Sequence, residues 1–139
     1  MSFKIHTQLL SDTHHLGKLS VCHVLLHKNA LLPWFILVPE VNTTDLLDLP
    51  PAEREKIMGE CAFLSAWIKQ YFKLHKINFG VIGNVVPQLH LHVIGRNELD
   101  VCWPKPVWGN LDTSKNYPAE EVISIKQQLM SCYKPDQEP

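Results

Sequence analysis

The sequence lacks a long apolar run, an excess of charge of either sign, and any Cys-x-x-Cys pair. No apolar run approaches the roughly 18 residues that a membrane-spanning helix needs, so no membrane partner is expected. Lysine and arginine number 13, aspartate and glutamate 14, and the formal net charge is −1. This balance disfavours stable nucleic-acid binding, although a locally positive phosphate pocket is compatible with it.

The four cysteines are widely separated along the chain. In a secreted protein they could form two disulfides, but the N-terminal residues lack the pattern of a signal peptide. We therefore expect reduced thiols and a cytoplasmic location. The cysteines are Cys22, Cys61, Cys102 and Cys132.

Length and composition indicate one globular domain. The chain has 139 residues, of which 45% are hydrophobic and 19% charged, values that are ordinary for a globular protein. A chain of this size buries a sizeable core, and no internal repeat or low-complexity tract divides it. We expect a single domain over residues 1–139.

Periodicity predicts two hairpins at the ends of one long helix, in the order β-β-α-β-β, followed by a last helix. Apolar residues spaced by three and four mark the helices, and apolar or alternating runs bounded by turn residues mark the strands. The fold class is therefore α+β. A short helical segment at 3–10 is followed by a polar cluster at 11–17, interpreted as a turn. We expect strands at 19–27, 34–38, 77–82 and 89–94, and helices at 51–75 and 118–133.

The most informative segment runs from Gln88 to Ile94 and alternates polar and apolar residues, as a half-buried strand does. Because successive side chains of a strand point to opposite faces, Gln88, His90 and His92 share one face. An imidazole near neutral pH can act as a nucleophile, a general acid or base, or a metal ligand. The other face takes Leu89, Leu91 and Val93.

Three interpretations of His90 and His92 stay open from the residues alone. They are polar residues of a wet sheet face, ligands of a metal ion, or a nucleophile and its partner. A two-histidine metal site needs a carboxylate a few positions later, where this chain has Arg96 and Asn97. An arginine there would repel a metal ion, so no metal or other cofactor is expected. The other histidines, interpreted as structural or solvent-exposed, are His6, His14, His15, His23, His27 and His75.

The segment resembles the motif of the histidine triad (HIT) family, His-φ-His-φ-His-φ-φ, in which φ is hydrophobic. The likeness extends to the run from Trp34 to Pro39, which is similar to the family's second strand, and covers about residues 19–109. Gly-Asn-Val-Val-Pro-Gln before the histidines and Trp-Pro-x-Pro-Val-Trp-Gly after them resemble a bacterial branch. The resemblance implies a HIT-like fold, with an antiparallel sheet of four to five strands, one long helix and a C-terminal helix.

The resemblance also implies a nucleotide hydrolase or nucleotidyl transferase. His90, at the middle position, would attack the α-phosphate of a dinucleoside polyphosphate or a nucleoside phosphoramidate and form a covalent nucleotidyl-histidine. His92 would donate a hydrogen bond to a phosphate oxygen. Gln88 stands where the family has its first histidine and is the third candidate catalytic residue. Its amide could hydrogen-bond to phosphate or to a neighbouring ring but cannot exchange a proton at pH 7. Trp34 stands where the family commonly has another histidine. These two departures imply the alternative, a nucleotide-binding protein with little or no turnover.

Four more residues are candidates for substrate binding. Asn84 would bind phosphate or orient the nucleophile, Asn29 lies near the family's ribose contact, and Arg96 would grip a polyphosphate. Trp34 is the fourth candidate for substrate binding. Each of these residues also has a purely structural interpretation: Asn84 could end a strand, Asn29 could stabilise a turn, and Arg96 could be a solvated surface charge. The segment from Trp103 to Trp108 would stack on a base or pack against a partner subunit.

The family is typically a symmetric dimer, and the long helix suggests the same for this chain. Three aromatic residues lie off its main apolar stripe, and a lone domain would expose them. A twofold interface would bury them, so we expect a homodimer with Trp67 or Phe63 between the subunits and the tryptophan segment near the neighbouring site. The three residues are Phe63, Trp67 and Phe72.

Overall fold

A computed structural model describes residues 2–135, which contain three α-helices, five β-strands and a short 3-10 helix at Leu46–Asp48. They form a five-stranded antiparallel sheet, one long helix against it and a C-terminal helix, which confirms the predicted α+β fold. In chain order the α-helices and β-strands are α1 (Thr7–Asp12), β1 (Thr13–Lys18), β2 (Cys22–His27), β3 (Trp34–Pro39), α2 (Pro51–Phe72), β4 (Lys76–Gly80), β5 (Leu91–Arg96) and α3 (Ala119–Cys132). The strand order in the sheet is β1-β2-β3-β5-β4.

Strand β1 lies where the sequence predicted a polar turn at 11–17, and that prediction is wrong. β1 pairs with β2 along its length, with a register shift between His15 and Gly17. The shift is a β-bulge, which adds a residue to one strand and interrupts the two-residue alternation. The buried positions of β1 are Thr13 and Leu16. Their spacing of three differs from the spacing of two by which a strand is recognised in a sequence.

The first helix and the second strand begin later than predicted. α1 begins at Thr7, whereas a helical segment was expected at 3–10. β2 begins at Cys22, whereas the predicted strand began at residue 19. The N–H of Leu19 donates to the carbonyl of Cys22 at 2.8 Å, so the residues between them form a turn.

The later elements keep their predicted type with shifted ends. α2 ends at Phe72 because Lys73 adopts a left-handed conformation with φ 57°. β4 ends at Gly80, two residues before the predicted end at residue 82. β5 covers Leu91–Arg96 and not 89–94, since its ladder with β3 begins at the pair Leu37 and Leu91.

The main core lies between α2 and one face of the sheet. The predicted apolar stripe of the helix is buried there, and the apolar half of the motif strand faces it, as the alternation predicted. Burial of this many aliphatic side chains is the dominant stabilising contribution. The core includes Ile57, Cys61, Leu64 and Ile68 of the helix, Phe35 and Leu37 of β3, and Leu89, Leu91 and Val93.

The expectation that a single subunit exposes the off-stripe aromatic residues of α2 is wrong for Trp67. Its side chain is only 8% exposed within the single subunit. It stacks on Tyr71 with ring centroids 4.6 Å apart and meets Phe35 edge-on at 6.0 Å. Phe63 packs against Tyr133 at 5.2 Å. Trp67 therefore gives no evidence for a subunit interface.

The opposite face of the sheet, called the far face below, is covered by the short helix α1 and by irregular chain. Leu25, Trp34, Ile36 and Ile94 form its apolar surface. Residues before β1 and residues after β5 cover it, among them Leu9, Cys102 and Val107. All four cysteines are free. No helix within residues 2–135 is long and apolar enough to span a membrane.

A buried carboxylate joins α2 to the β1–β2 turn. Glu60 is 5% exposed and accepts hydrogen bonds from the backbone N–H groups of Val21 at 3.0 Å and Cys22 at 2.8 Å. The hydroxyl of Tyr133 donates to it at 3.3 Å. A charged acceptor with several donors is a strong buried contact.

We expect Glu60→Ala to lower the free energy of unfolding by about 3 kcal/mol, because two backbone donors lose a charged partner inside the protein. Urea unfolding at neutral pH measures the change. The matched control is Glu55→Ala, at an exposed position of the same helix, which should change stability by less than about 0.5 kcal/mol. A loss below about 1 kcal/mol for Glu60→Ala would contradict the assigned role.

Candidate active site

A cavity of about 330 Å³ opens on the far face, and both histidines of the motif line it. Its volume lies within the range of small-molecule sites. Five parts of the chain complete its wall: α1, the end of β2, β3, the connection between β4 and β5, and Trp108 after β5. Their lining residues include Gln8, Leu9 and Asp12, then His27, Trp34 and Ile36, and last Ile82, Asn84 and Val86.

The register of β3 against β5 brings the site together. Ile36 pairs with His92 and Trp34 with Ile94, so these side chains share the far face. His90 precedes His92 by two residues and lines the same cavity. The two imidazole rings meet edge to face with centroids 5.0 Å apart.

The hydrogen bond at Nδ1 determines which nitrogen of His90 is free. Nδ1 lies 2.7 Å from the backbone carbonyl oxygen of Gln88. A carbonyl oxygen only accepts, so Nδ1 carries the proton and donates. In the neutral ring, Nε2 therefore holds a lone pair. That is the tautomer a nucleophile or a proton acceptor requires.

His92 has the opposite tautomer. The indole Nε1–H of Trp34 donates to Nδ1 of His92 at 3.0 Å. Indole nitrogen is a donor only, so Nδ1 of the neutral ring is bare and Nε2 carries the proton. Burial, and to a lesser extent the neighbouring His90 and His27, lowers the pKa of His92 to about 3. At neutral pH His92 is an uncharged hydrogen-bond donor.

His27 is a cavity residue that the sequence interpretation missed. Its ring stacks on Trp34 with centroids 4.2 Å apart and planes 11° from parallel. Its Nδ1 accepts from the N–H of Asn29 at 3.0 Å, and burial lowers its pKa while Asp12 opposes the shift. The hairpin register contained a signal, since Leu26 pairs with Phe35 and the next position places His27 opposite Trp34.

Trp108 closes one side of the cavity. Its ring meets His92 edge-on at 5.1 Å and Trp34 at 6.3 Å. A Cβ atom at Gly80 would come within 3.0 Å of the Trp108 ring, so glycine allows the close approach. Trp103 lies apart from this site, 37% exposed and near the guanidinium of Arg96 at 5.6 Å.

Three of the predicted site residues make their contacts outside the cavity lining: Gln88, Asn29 and Arg96. Gln88 is half-buried, and its amide bonds to the backbone of Lys4 and His6 at 2.9 and 2.8 Å. Asn29 bonds to the backbone of Leu31 and of residues 113 and 115, which is its alternative role in a turn.

Arg96 is buried and paired, and the structure does not bring it to the cavity. It is 1% exposed, so the alternative of a solvated surface charge is wrong. Its guanidinium donates to Asp100 at 2.7 and 3.0 Å and to Asn78 at 2.7 Å. Asn84, His90, His92 and Trp34 are the predicted residues that do line the cavity.

The charges around the cavity are few. Asp12 is a carboxylate among the lining residues, which include no lysine or arginine within the described range 2–135. In the same range no three of the side chains His, Cys, Asp and Glu are grouped so that they could hold a metal ion. The cavity places the imidazole lone pair of His90 beside the imidazole N–H of His92.

The sheet, the long helix and the two-histidine strand define an α+β protein with a HIT-like fold, and the HIT domain model matches residues 8–99. A histidine triad protein from Sinorhizobium meliloti 1021 is 34% identical, with a TM-score of 0.88 over 94% of this chain and 96% of that one. The chain belongs to the histidine triad (HIT) family, whose members are nucleotide-related hydrolases and transferases.

Two more solved structures are similar over nearly the whole chain. A histidine triad protein from Bradyrhizobium japonicum is 34% identical, with a TM-score of 0.87 over 94% of this chain and 98% of that one. One from Marinobacter aquaeolei VT8 is 38% identical, with a TM-score of 0.86 over 93% and 94%. Among curated proteins, none matches the chain.

The low pKa of His92 predicts a loss of stability in acid. The unfolded chain binds a proton near pH 6.5, whereas the folded protein binds it only near pH 3. The unfolded state therefore holds more protons in this window. The stabilising contribution is complete above about pH 6.5 and is lost as the pH falls toward 3, by about 2 kcal/mol at pH 5.

Urea unfolding at pH 8 and pH 5 measures this contribution. His92→Asn removes the titrating ring but leaves an oxygen that can accept from Trp34, so this variant should lose about 2 kcal/mol less than the wild type between the two pH values. His75→Asn, at an exposed position, should follow the wild type. Equal pH dependence of His92→Asn and the wild type would contradict a neutral buried His92.

Proposed function

We propose that this chain is a nucleotide hydrolase or nucleotidyl transferase that cleaves at the α-phosphate of a dinucleoside polyphosphate or a nucleoside phosphoramidate, through a covalent nucleotidyl-histidine on His90. The observation that carries the proposal is the pair of opposite tautomers at His90 and His92. One ring offers a lone pair and its neighbour an N–H, which is what attack on a phosphoryl group requires.

The first step forms a bond between Nε2 of His90 and the α-phosphorus. The bond from that phosphorus to the leaving group breaks, and the leaving group keeps the electron pair and takes a proton from solvent. The ring gains positive charge when Nε2 bonds to phosphorus. The Nδ1–H···O bond to the Gln88 carbonyl strengthens at that point, because its donor has become cationic.

His92 stabilises the charge that develops on the phosphoryl oxygens. Its Nε2–H donates to a non-bridging oxygen while Trp34 holds the ring in that tautomer. A preorganised donor in a partly water-excluded site contributes about 3 kcal/mol to transition-state stabilisation in comparable enzymes. The second step is attack by water on the phosphorus, which breaks the bond to His90, restores the lone pair of Nε2 and releases a nucleoside monophosphate, while the proton of the water passes to solvent. Another acceptor in place of water gives transfer.

The charge of the cavity favours the phosphoramidate over the polyphosphate. No lysine or arginine within residues 2–135 lines the cavity, and Asp12 does. A polyphosphate leaving group carries several negative charges, which a nearby carboxylate repels. An amine leaving group becomes a cation when it is protonated, and the same carboxylate attracts it.

The alternative is a nucleotide-binding protein with little or no turnover. It is favoured by the replacement of two family histidines with Gln88 and Trp34, which removes groups that could deliver a proton to the leaving group. The two proposals differ in whether a nucleotide becomes covalently attached to His90.

We expect His90→Ala to lose more than about 10³-fold in turnover, because the nucleophile is gone, with a thermal midpoint within a few degrees of the wild type. Turnover is measured on a panel of nucleoside phosphoramidates and dinucleoside polyphosphates. Acid-labile labelling of the wild type by a radioactive nucleotide detects the intermediate.

His75→Ala, at an exposed position away from the cavity lining, is the matched control and should keep wild-type turnover. More than a tenth of wild-type activity in His90→Ala would exclude the covalent route. Nucleotide binding by the wild type without turnover on the panel would favour the alternative.

The homodimer stays a prediction, and another part of the surface now supports it. β4 is an edge strand, and its end carries the exposed apolar residues Phe79, Val81 and Ile82. An unpaired strand edge of this kind pairs readily with a second chain. Twofold symmetry would make this edge meet itself.

We expect sedimentation velocity at micromolar concentration to give a species of twice the 15.9 kDa chain mass. Phe79→Lys places a charge on the edge and should shift the protein toward the single chain. A stable 15.9 kDa species of the wild type at that concentration would overturn the prediction. The cytoplasmic location also stays a prediction, which cell fractionation tests.

A further inference from the structure

The side chain of Gln88 makes two hydrogen bonds to one short stretch of backbone far away in sequence. Its Oε1 accepts from the N–H of His6 at 2.8 Å, and its Nε2 donates to the carbonyl of Lys4 at 2.9 Å. A primary amide carries a carbonyl acceptor and an NH2 donor group at the end of a single side chain. Both functions of the amide are therefore engaged with residues 4–6.

These bonds attach a segment that builds one wall of the cavity. The segment, residues 2–12 and called the N-terminal wall below, ends in α1, which His6 caps by accepting from the N–H of Gln8 at 3.0 Å. Gln8, Leu9 and Asp12 line the cavity that contains His90. A displacement of residues 4–6 therefore moves groups that face the nucleophile.

Other contacts also attach the N-terminal wall. Near its C-terminal end, the carbonyl of Leu9 accepts from the hydroxyl of Thr13 at 2.6 Å and that of Asp12 from the N–H of Lys28 at 3.0 Å. Ile5 packs on the apolar surface of the far face. Phe3 stacks on His23 with ring centroids 5.7 Å apart. Leu9 is 5% exposed and packs on the apolar surface of the far face. α1 has only six residues, too few to be stable as a helix without tertiary contacts. The two bonds from Gln88 therefore hold residues 4–6, at the end of the wall opposite to the bonds of Leu9 and Asp12.

Gln88 also touches the nucleophile through its main chain. Its carbonyl oxygen accepts the Nδ1–H of His90 at 2.7 Å. The residue thus orients His90 with its backbone and holds the opposing wall with its side chain. While both bonds to the wall are made, its amide is directed at residues 4–6, and Gln88 is not among the residues that line the cavity.

We propose that Gln88 is a positioning residue that latches the N-terminal wall, so that the affinity of the His90 cavity for the nucleoside monophosphate part of the substrate depends on these two hydrogen bonds. The proposal rests on the function proposed above. The latch sets the position of Gln8, Leu9 and Asp12 and leaves the chemistry of His90 unchanged. Its loss raises KM and leaves kcat nearly constant.

Gln88→Met is the test variant, because methionine has similar length and no amide group. We expect its KM, and its dissociation constant for AMP measured by calorimetry, to rise at least tenfold. The kcat should change less than threefold, since the backbone bond from residue 88 to His90 persists. Gln70→Met, at an exposed position on α2, is the matched control and should leave all three values unchanged.

Hydrogen exchange gives a readout that does not depend on turnover. In Gln88→Met the amide of His6 and the amides of α1 should exchange at least tenfold faster than in the wild type, while the amides of β3 and β5 keep their protection. This pattern also shows that the variant is folded.

The outcomes separate this inference from the proposed chemistry. Faster exchange with weaker AMP binding, in a protein that shows no turnover, supports the latch and overturns the hydrolase. Unchanged exchange overturns the latch. Faster exchange with unchanged AMP affinity overturns the link between the wall and the cavity, as does a wild type that binds no AMP.

Discussion

The hydrogen bond from the indole of Trp34 to His92 links the sheet to the chemistry of the site. It exists because β3 and β5 pair in one register, with Ile36 opposite His92. A shift of one residue would turn either strand's side chains to the other face and separate the pair. The packing of Phe35, Leu37, Leu91 and Val93 against α2 maintains that register. The protonation pattern of the cavity is thus a consequence of how the core is packed.

The two faces of the sheet differ in how they are covered. α2 covers one face with a continuous apolar stripe. The far face is covered by α1 and by the irregular chain after β5, each attached at a few points. At the end of β5, the buried guanidinium of Arg96 donates to Asn78 of β4 and to Asp100. The bond to Asp100 attaches the beginning of the irregular chain that leads to Trp108. β5 therefore carries His92, with His90 directly before its first residue, while separately anchored segments form the walls around the two histidines.

Sequence reasoning predicted the parts of this structure that depend on local periodicity. The alternation at 88–94 assigned His90 and His92 to one face, and the stripe of α2 was correct. β1 was missed because its bulge at Gly17 interrupts the alternation. His27 and the N-terminal wall were missed because their roles depend on contacts between distant residues, such as the bond between His6 and Gln88. Arg96 was predicted to be either a polyphosphate contact or a surface charge because no local sequence pattern indicated that its side chain is buried.

The bond that orients His90 comes from the main chain of residue 88. Any amino acid at that position supplies the same carbonyl, so the orientation of the nucleophile places no demand on the side chain there. A histidine, a glutamine or another residue can occupy this position while the neighbouring ring keeps its tautomer. The first position of the motif is therefore free to diverge in evolution and to acquire contacts elsewhere in the molecule. The positions of His90 and His92, whose side chains face the cavity, do not have that freedom.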